Sequence, residues 1–199
     1  DRPMNLALFD FDHTLTRIDT YGRFLRTIAT PQQLSEAKWK IAPWVAGYRL
    51  GVISAANLRA RVTRFAFSGR SQHDVVQQGK RFATEILPGT IRADMLHRLQ
   101  QHQSQGDEVV IVSGSLDVYL QPWSAQHGLA LICNQLETQG DLLTGRYQGD
   151  DCGANKVARI QARYDLEAYA RVHAYGDSRE DLPMLALAHE RWYCGRRID

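Results

Sequence analysis

The run Asp10-Phe11-Asp12-His13-Thr14-Leu15-Thr16 sets two carboxylates two residues apart, directly after the apolar stretch Leu6 to Phe9. Two acids at the end of a buried segment are costly unless something positive binds there. A magnesium ion would supply that charge, because it takes oxygen ligands and is often held by one or two carboxylates plus phosphate. A pair of solvated loop acids has the same appearance, so the fragment by itself leaves both readings open. Val112-Ser113-Gly114-Ser115 offers a hydroxyl and several backbone N–H groups ahead of an expected helix, which suits an anion or a plain helix cap. Lys156 lies near the start of another expected helix, where a cation opposes the helix dipole and a phosphate would compensate it. Gly176-Asp177-Ser178-Arg179-Glu180-Asp181 places Asp177 where a third metal ligand is needed. Asp181 follows four residues later, at a helix start that acids favour in any case.

These residues count together because of the elements expected to carry them. Leu6 to Phe9, Glu108 to Val112, Leu129 to Cys133 and Val172 to Tyr175 are short apolar runs ending in polar or glycine-rich sequence, the pattern of buried parallel strands. Helical spacing fills the intervals at Ile91 to Gln103, Leu116 to His127 and Ala154 to Tyr164. Alternation of this kind predicts an α/β fold with a parallel sheet and helices on both faces. Ligands in such sheets sit beyond the carboxyl ends of the strands, where all four segments fall. Asn134 to Tyr147, centred on Gly140-Asp141, reads as a β-hairpin.

Residues 17–87 break the rhythm. Helical patterns follow one another at Tyr21 to Ala29, Gln32 to Ile41, Ala55 to Phe67 and Gln72 to Glu85, with Pro88-Gly89 marking the return. The near-apolar stretch Ile41 to Ile53 falls short of the roughly 20 residues that span a bilayer. It is expected to pack inside the helical insertion, although Trp44, Tyr48 and Arg49 could also touch a membrane surface.

The 199 residues suit one domain or a domain carrying an insertion, and 44% apolar with 23% charged residues is ordinary globular composition. A net charge of +2, from 24 basic and 22 acidic residues, gives no argument for a nucleic-acid partner. Cys133, Cys152 and Cys194 are widely spaced and form no CxxC pair, so reduced thiols and a cytoplasmic location are expected, with no integral membrane segment and no signal peptide.

On these motifs the chain resembles the haloacid dehalogenase (HAD) superfamily and its phosphoserine-phosphatase-like branch. Asp10 to Thr16 is similar to the DxDxT signature, Ser113-Gly114-Ser115 to the second motif, Lys156 to the third, and Gly176 to Asp181 to the acidic fourth. The resemblance covers nearly the whole chain. It implies a Rossmann-like core of residues 1–16 and 88–199 and a helical cap of residues 17–87.

The resemblance also implies roles. Asp10 would be the nucleophile and Asp12 the general acid and base. Mg2+ would be held by Asp10, Asp177 and Asp12, the last through its backbone carbonyl. Ser113, Gly114 and Lys156 would bind the phosphoryl oxygens, and Thr14 and Asp181 would support the ligands from behind, Asp181 by holding a metal-bound water or orienting Lys156. Asp19 takes the place of a cap glutamate that recognises an amino-acid substrate in phosphoserine phosphatases. The family's dehalogenases lack the second acid, so Asp12 favours phosphate chemistry. The substrate expected is a small phosphorylated metabolite, with a lipid phosphate or a non-catalytic phosphate-binding role as alternatives. Arg23, Arg26, Arg49, Arg59, Arg61, Arg64 and Arg70 are all open as contacts for a substrate carboxylate. Glu180 departs from the branch's usual asparagine. It would weaken binding of an anionic substrate unless it pointed away or paired with Arg179.

Overall fold

A computed structural model describes residues 4–198. Eight strands are present: β1 (Leu6–Phe9), β2 (Glu108–Leu116), β3 (Ala130–Asn134), β4 (Leu136–Gln139), β5 (Leu142–Tyr147), β6 (Val172–Gly176), β7 (Glu190–Tyr193) and β8 (Arg196–Ile198). Six of them form one sheet in the order β3-β2-β1-β6-β7-β8. Its neighbours are parallel except for β7 and β8, which run antiparallel. β4 and β5 form the expected hairpin, and Gly140 at its tip adopts φ 62°, a backbone region that glycine enters freely. The strands at the centre of the sheet fall where the apolar runs lie. β7 and β8 escape that signal because Glu190–Tyr193 is only half-buried and Arg196–Ile198 is exposed.

Period-two alternation sorts the central strands onto two cores. Ala7, Phe9, Val109 and Ile111 face one side. Leu6, Leu8, Val110, Val112, Val172 and Ala174 face the other.

Between β1 and β2 the chain is helical: α1 (Thr20–Ile28), α2 (Pro31–Lys40), α3 (Ala42–Arg49), α4 (Ala55–Phe67), α5 (Gln72–Glu85) and α6 (Ala93–Ser104). Four of these begin at side chains that satisfy the free N–H groups of a helix start, namely Asp19, Thr30, Ser54 and Ser71. Thr30 and Gln33 cap each other reciprocally, and Pro31 stands in the first turn. After β2 come α7 (Asp117–Gln126), α8 (Lys156–Arg163) and the single turn α9 (Leu182–Leu185).

The insertion helices share the first core with the sheet. Phe24 packs against Phe67, Phe82 and Tyr119 with ring centroids 6.4, 5.2 and 5.1 Å away. A side chain at Gly79 would come within 2.1 Å of the Val118 carbonyl oxygen, so only glycine lets α5 approach α7 this closely. The stretch Ile41 to Ile53 does not pack as expected. α3 has no buried residue, and Trp39, Leu50 and Val52 are 82%, 81% and 77% exposed. Among Trp39, Trp44, Tyr48, Phe65 and Phe67, Phe67 alone is fully buried. The apolar run is too short to wrap a helix on all sides, and α2 and α3 pack mainly on each other and on α4. No helix of the described residues is long and apolar enough to cross a membrane.

Candidate active site

Strand register creates the site. Phe9 pairs with Ile111 on one side and Tyr175 on the other. The Asp10 N–H then donates to the Tyr175 carbonyl at 2.9 Å. Asp10 therefore leaves the sheet level with Val112 and Gly176, and Ser113 and Asp177 emerge one residue further along on either side. The chain turns at once: the N–H groups of Thr14, Leu15 and Thr16 all point to the Phe11 carbonyl, and His13 takes a left-handed φ of 59° at the tip.

Asp10, Lys156, Asp181 and Ser113 are all buried, with 7%, 4%, 1% and 1% exposure. The Lys156 ammonium donates to Asp10 Oδ1 at 2.8 Å and to Asp181 Oδ1 at 2.5 Å. The Thr14 hydroxyl lies 3.1 Å from Asp10 Oδ2 and 3.3 Å from Asp177 Oδ1, and it can donate to either. Asp181 Oδ2 accepts the N–H groups of Asp177 and Ser178 at 3.0 and 3.1 Å, which pins the fourth-motif loop to Lys156. Ser113 Oγ accepts the Ser115 N–H at 3.0 Å.

Carboxylate oxygens of Asp10, Asp177 and Asp181 all lie within 4.8 Å of one another. Three carboxylates against one ammonium leave two negative charges in excess when all are ionised. Burial pushes the Asp10 carboxyl well up; Lys156 opposes this, and Asp181 and Asp177 add to it. Burial also raises Asp177. Burial acts to raise Asp181 too, but the Lys156 ion pair and the two backbone N–H groups hold it below the usual carboxylate range. A set of hard oxygen donors with two uncompensated charges fits a divalent cation such as magnesium.

Asp181 bonds to Lys156 with its carboxylate close to those of Asp10 and Asp177. Asp12 turns toward the helical insertion, where Oδ1 accepts the Thr20 N–H at 2.8 Å and the Thr20 hydroxyl at 2.5 Å. Its Oδ2 accepts the Ser115 hydroxyl. Burial, with repulsion from Asp19, pushes the Asp12 carboxyl up to about 6, and the two hydroxyls partly offset the rise. Asp19 itself caps α1, accepting the Gly22 N–H at 3.2 Å, and is exposed.

Glu180 pairs with Arg59, not with Arg179. Its carboxylate accepts Arg59 NH1 and NH2 at 3.0 and 2.7 Å. The same guanidinium reaches Asp151 through Nε and NH2 at 3.0 and 2.5 Å. Asn134 carries the network on, donating to Asp151 Oδ1 at 2.9 Å and to the Gly114 carbonyl at 2.8 Å. Sequence reasoning left Arg59 as one of seven arginines, quoted Ser115 in the second motif without a role of its own, and missed Thr20, Asn134 and Asp151. Thr20 stands beside Asp19; nothing in the sequence marked Asn134 or Asp151.

The haloacid dehalogenase-like hydrolase family matches residues 7–186, and the chain belongs to it. It is thus an enzyme of the hydrolase class, with the four motifs on one sheet edge. Two curated relatives are similar along most of their length. "Protein CicA" of Caulobacter vibrioides is 29% identical over 191 residues, covering 94% of this chain and 85% of the relative. A histidinol-phosphatase of Neisseria meningitidis is 27% identical over 206 residues, covering 94% and 88%. A substrate-bound phosphoserine phosphatase structure shares the fold with TM-score 0.66 at 19% identity, over 97% of this chain and 87% of that one.

Proposed function

We propose that the chain is a magnesium-dependent phosphomonoesterase that works through an aspartyl-phosphate on Asp10 and acts on a small phosphorylated metabolite. The observation that carries this reading is the buried set of Asp10, Asp177 and Asp181 around Lys156, with Ser113 emerging at the same sheet edge. The names of the relatives support it, since a histidinol-phosphatase and a phosphoserine phosphatase both cleave phosphate monoesters.

In this reading Asp10 attacks phosphorus, and the bond to the leaving oxygen breaks as the Asp10–phosphorus bond forms. Lys156 orients the nucleophile and, with Ser113 and the backbone at Gly114, takes up charge on the transferring oxygens. Asp12, with a carboxyl pushed up to about 6, gives its proton to the departing alkoxide and then takes one from the attacking water. Asp10, Asp177 and the Asp12 backbone carbonyl would hold magnesium, while Asp181 holds Lys156 in place. When bound, the ion screens the repulsion between the Asp10 carboxylate and the phosphate. Residues 17–87 act as a cap that excludes water, and the three free cysteines fit a cytoplasmic setting.

An acid-quenched single turnover with 32P-labelled ester tests the nucleophile. Label should remain on wild-type protein and be absent from Asp10→Asn. Turnover at the wild-type rate by Asp10→Asn ends the proposal, as does a lack of any hydrolysis of p-nitrophenyl phosphate with magnesium.

A second reading, a lipid phosphate substrate, has one observation in its favour. Trp39, Leu50 and Val52 are exposed beside the solvent-facing Lys38, Lys40 and Arg49, a composition suited to an anionic bilayer surface. Sedimentation with phosphatidylglycerol vesicles tests it, and protein left wholly in the supernatant counts against it.

A further inference from the structure

Two insertion side chains bond to motif residues of the sheet edge: Thr20 to Asp12 and Arg59 to Glu180. In the phosphatase reading, an alcohol esterified to a phosphoryl group between Asp10 and Ser113 faces the helices that carry these side chains. Arg59 reaches from α4 to Asp151 and Glu180 of the core. Its guanidinium packs against two glycines: a Cβ on Gly114 would stand 3.4 Å from its Cζ, and one on Gly153 would stand 2.5 Å from NH2 and 2.6 Å from Glu180 Oε2. Gly114 follows Ser113, and Glu180 precedes Asp181, so the guanidinium is one residue away from the candidate site at two points.

Arg59 is already satisfied. Four hydrogen bonds, from Nε, NH1 and twice from NH2, go to both oxygens of Asp151 and both oxygens of Glu180. All three side chains are largely buried, with 19%, 13% and 24% of their surface exposed. One cation against two anions leaves the cluster at net −1. A leaving group bearing its own carboxylate finds Arg59 already paired and meets an excess of like charge in a low-dielectric setting. An uncharged or ammonium-bearing alcohol meets no such repulsion.

We infer that Glu180, together with Asp151, determines specificity by neutralising Arg59, so that the enzyme discriminates against phosphate esters whose alcohol carries a carboxylate. This rests on the phosphatase reading given above. It turns on a single acid in the fourth motif, and it makes Arg59 a tie between helix and core in place of a ligand for substrate.

Phosphoserine and phosphoethanolamine differ by one carboxylate, so the ratio of their kcat/KM values with magnesium isolates the effect. Any general loosening of the site cancels in that ratio. The wild-type enzyme should prefer phosphoethanolamine by at least about tenfold. Glu180→Gln keeps the shape and brings the cluster to neutrality. It should shift the ratio toward phosphoserine by about tenfold, and Asp151→Asn should shift it the same way. A second pair, 3-phosphoglycerate and glycerol 1-phosphate, should show the same ordering. Equal or better use of phosphoserine by the wild type overturns the inference, and so does an unchanged ratio in both variants. Rejection of all four esters alongside turnover of p-nitrophenyl phosphate overturns it as well. Failure with p-nitrophenyl phosphate itself strikes the phosphatase reading first, and is thereby distinguished.

Discussion

Replacing Lys156 by methionine tests the electrostatic core of the site through stability alone. The side chain is 4% exposed, and its ammonium stands 2.8 Å from Asp10 and 2.5 Å from Asp181. Methionine retains most of the volume and removes the charge. Two buried carboxylates then lose their partner, with Asp177 close by. Removing one side of a buried ion pair costs about 3–5 kcal/mol. For a chain of this size that corresponds to a fall in Tm of roughly 6–20 °C.

The cost depends on pH with a definite sign. Lys156 lowers the pKa of both Asp10 and Asp181. Without it, Asp10 rises further above its unfolded value and Asp181 loses the partner that holds it below, so the folded state binds protons more tightly than it does with Lys156 present. The penalty is full where the acids are ionised and shrinks as pH falls through the range in which they take up protons. Magnesium should also stabilise the variant more than the wild type, because a cation at Asp10 and Asp177 relieves more carboxylate repulsion once the Lys156 charge is gone. Thermal melts of wild type and Lys156→Met at pH 8 and pH 5, with and without magnesium chloride, read all three effects. A variant that melts within about 2 °C of the wild type at pH 8 would refute the argument.

Three further expectations concern catalysis. Asp12→Asn should lower the single-turnover rate of alcohol release from an alkyl phosphate by about 10²–10⁴-fold and of nitrophenolate from p-nitrophenyl phosphate far less, because nitrophenolate leaves without a proton; equal losses in that step would count against a proton-donor role. Thr20→Val removes a hydroxyl bond that holds the Asp12 carboxyl down, so the alkaline limb of kcat/KM should move to higher pH in a full pH–rate profile. Asp177→Asn should raise the magnesium concentration for half-maximal activity by about tenfold or more, and an unchanged titration would remove Asp177 from the ion's ligands.

The strand runs and the acids at 10, 12, 177 and 181 could be recognised along the chain because each depends on near neighbours: an apolar run, a carboxylate just past a strand. These local patterns were enough to place four motifs on one sheet edge and to point to phosphate chemistry. Other features depend on which distant groups arrive at the same place. Asp181 joined Asp10 and Asp177 because the fourth-motif loop folds back on Lys156, 25 residues earlier, while Asp12 was drawn away by Thr20 and Ser115. The apolar stretch at 41–53 looked like core, yet its burial depended on how much neighbouring surface the fold could bring against it. The pairing of Glu180 with Arg59 spans 121 residues. Hydrophobic periodicity does not encode which charge a given acid will meet, because that choice is made only when the tertiary structure closes and burial leaves each charge with whatever partner lies within reach.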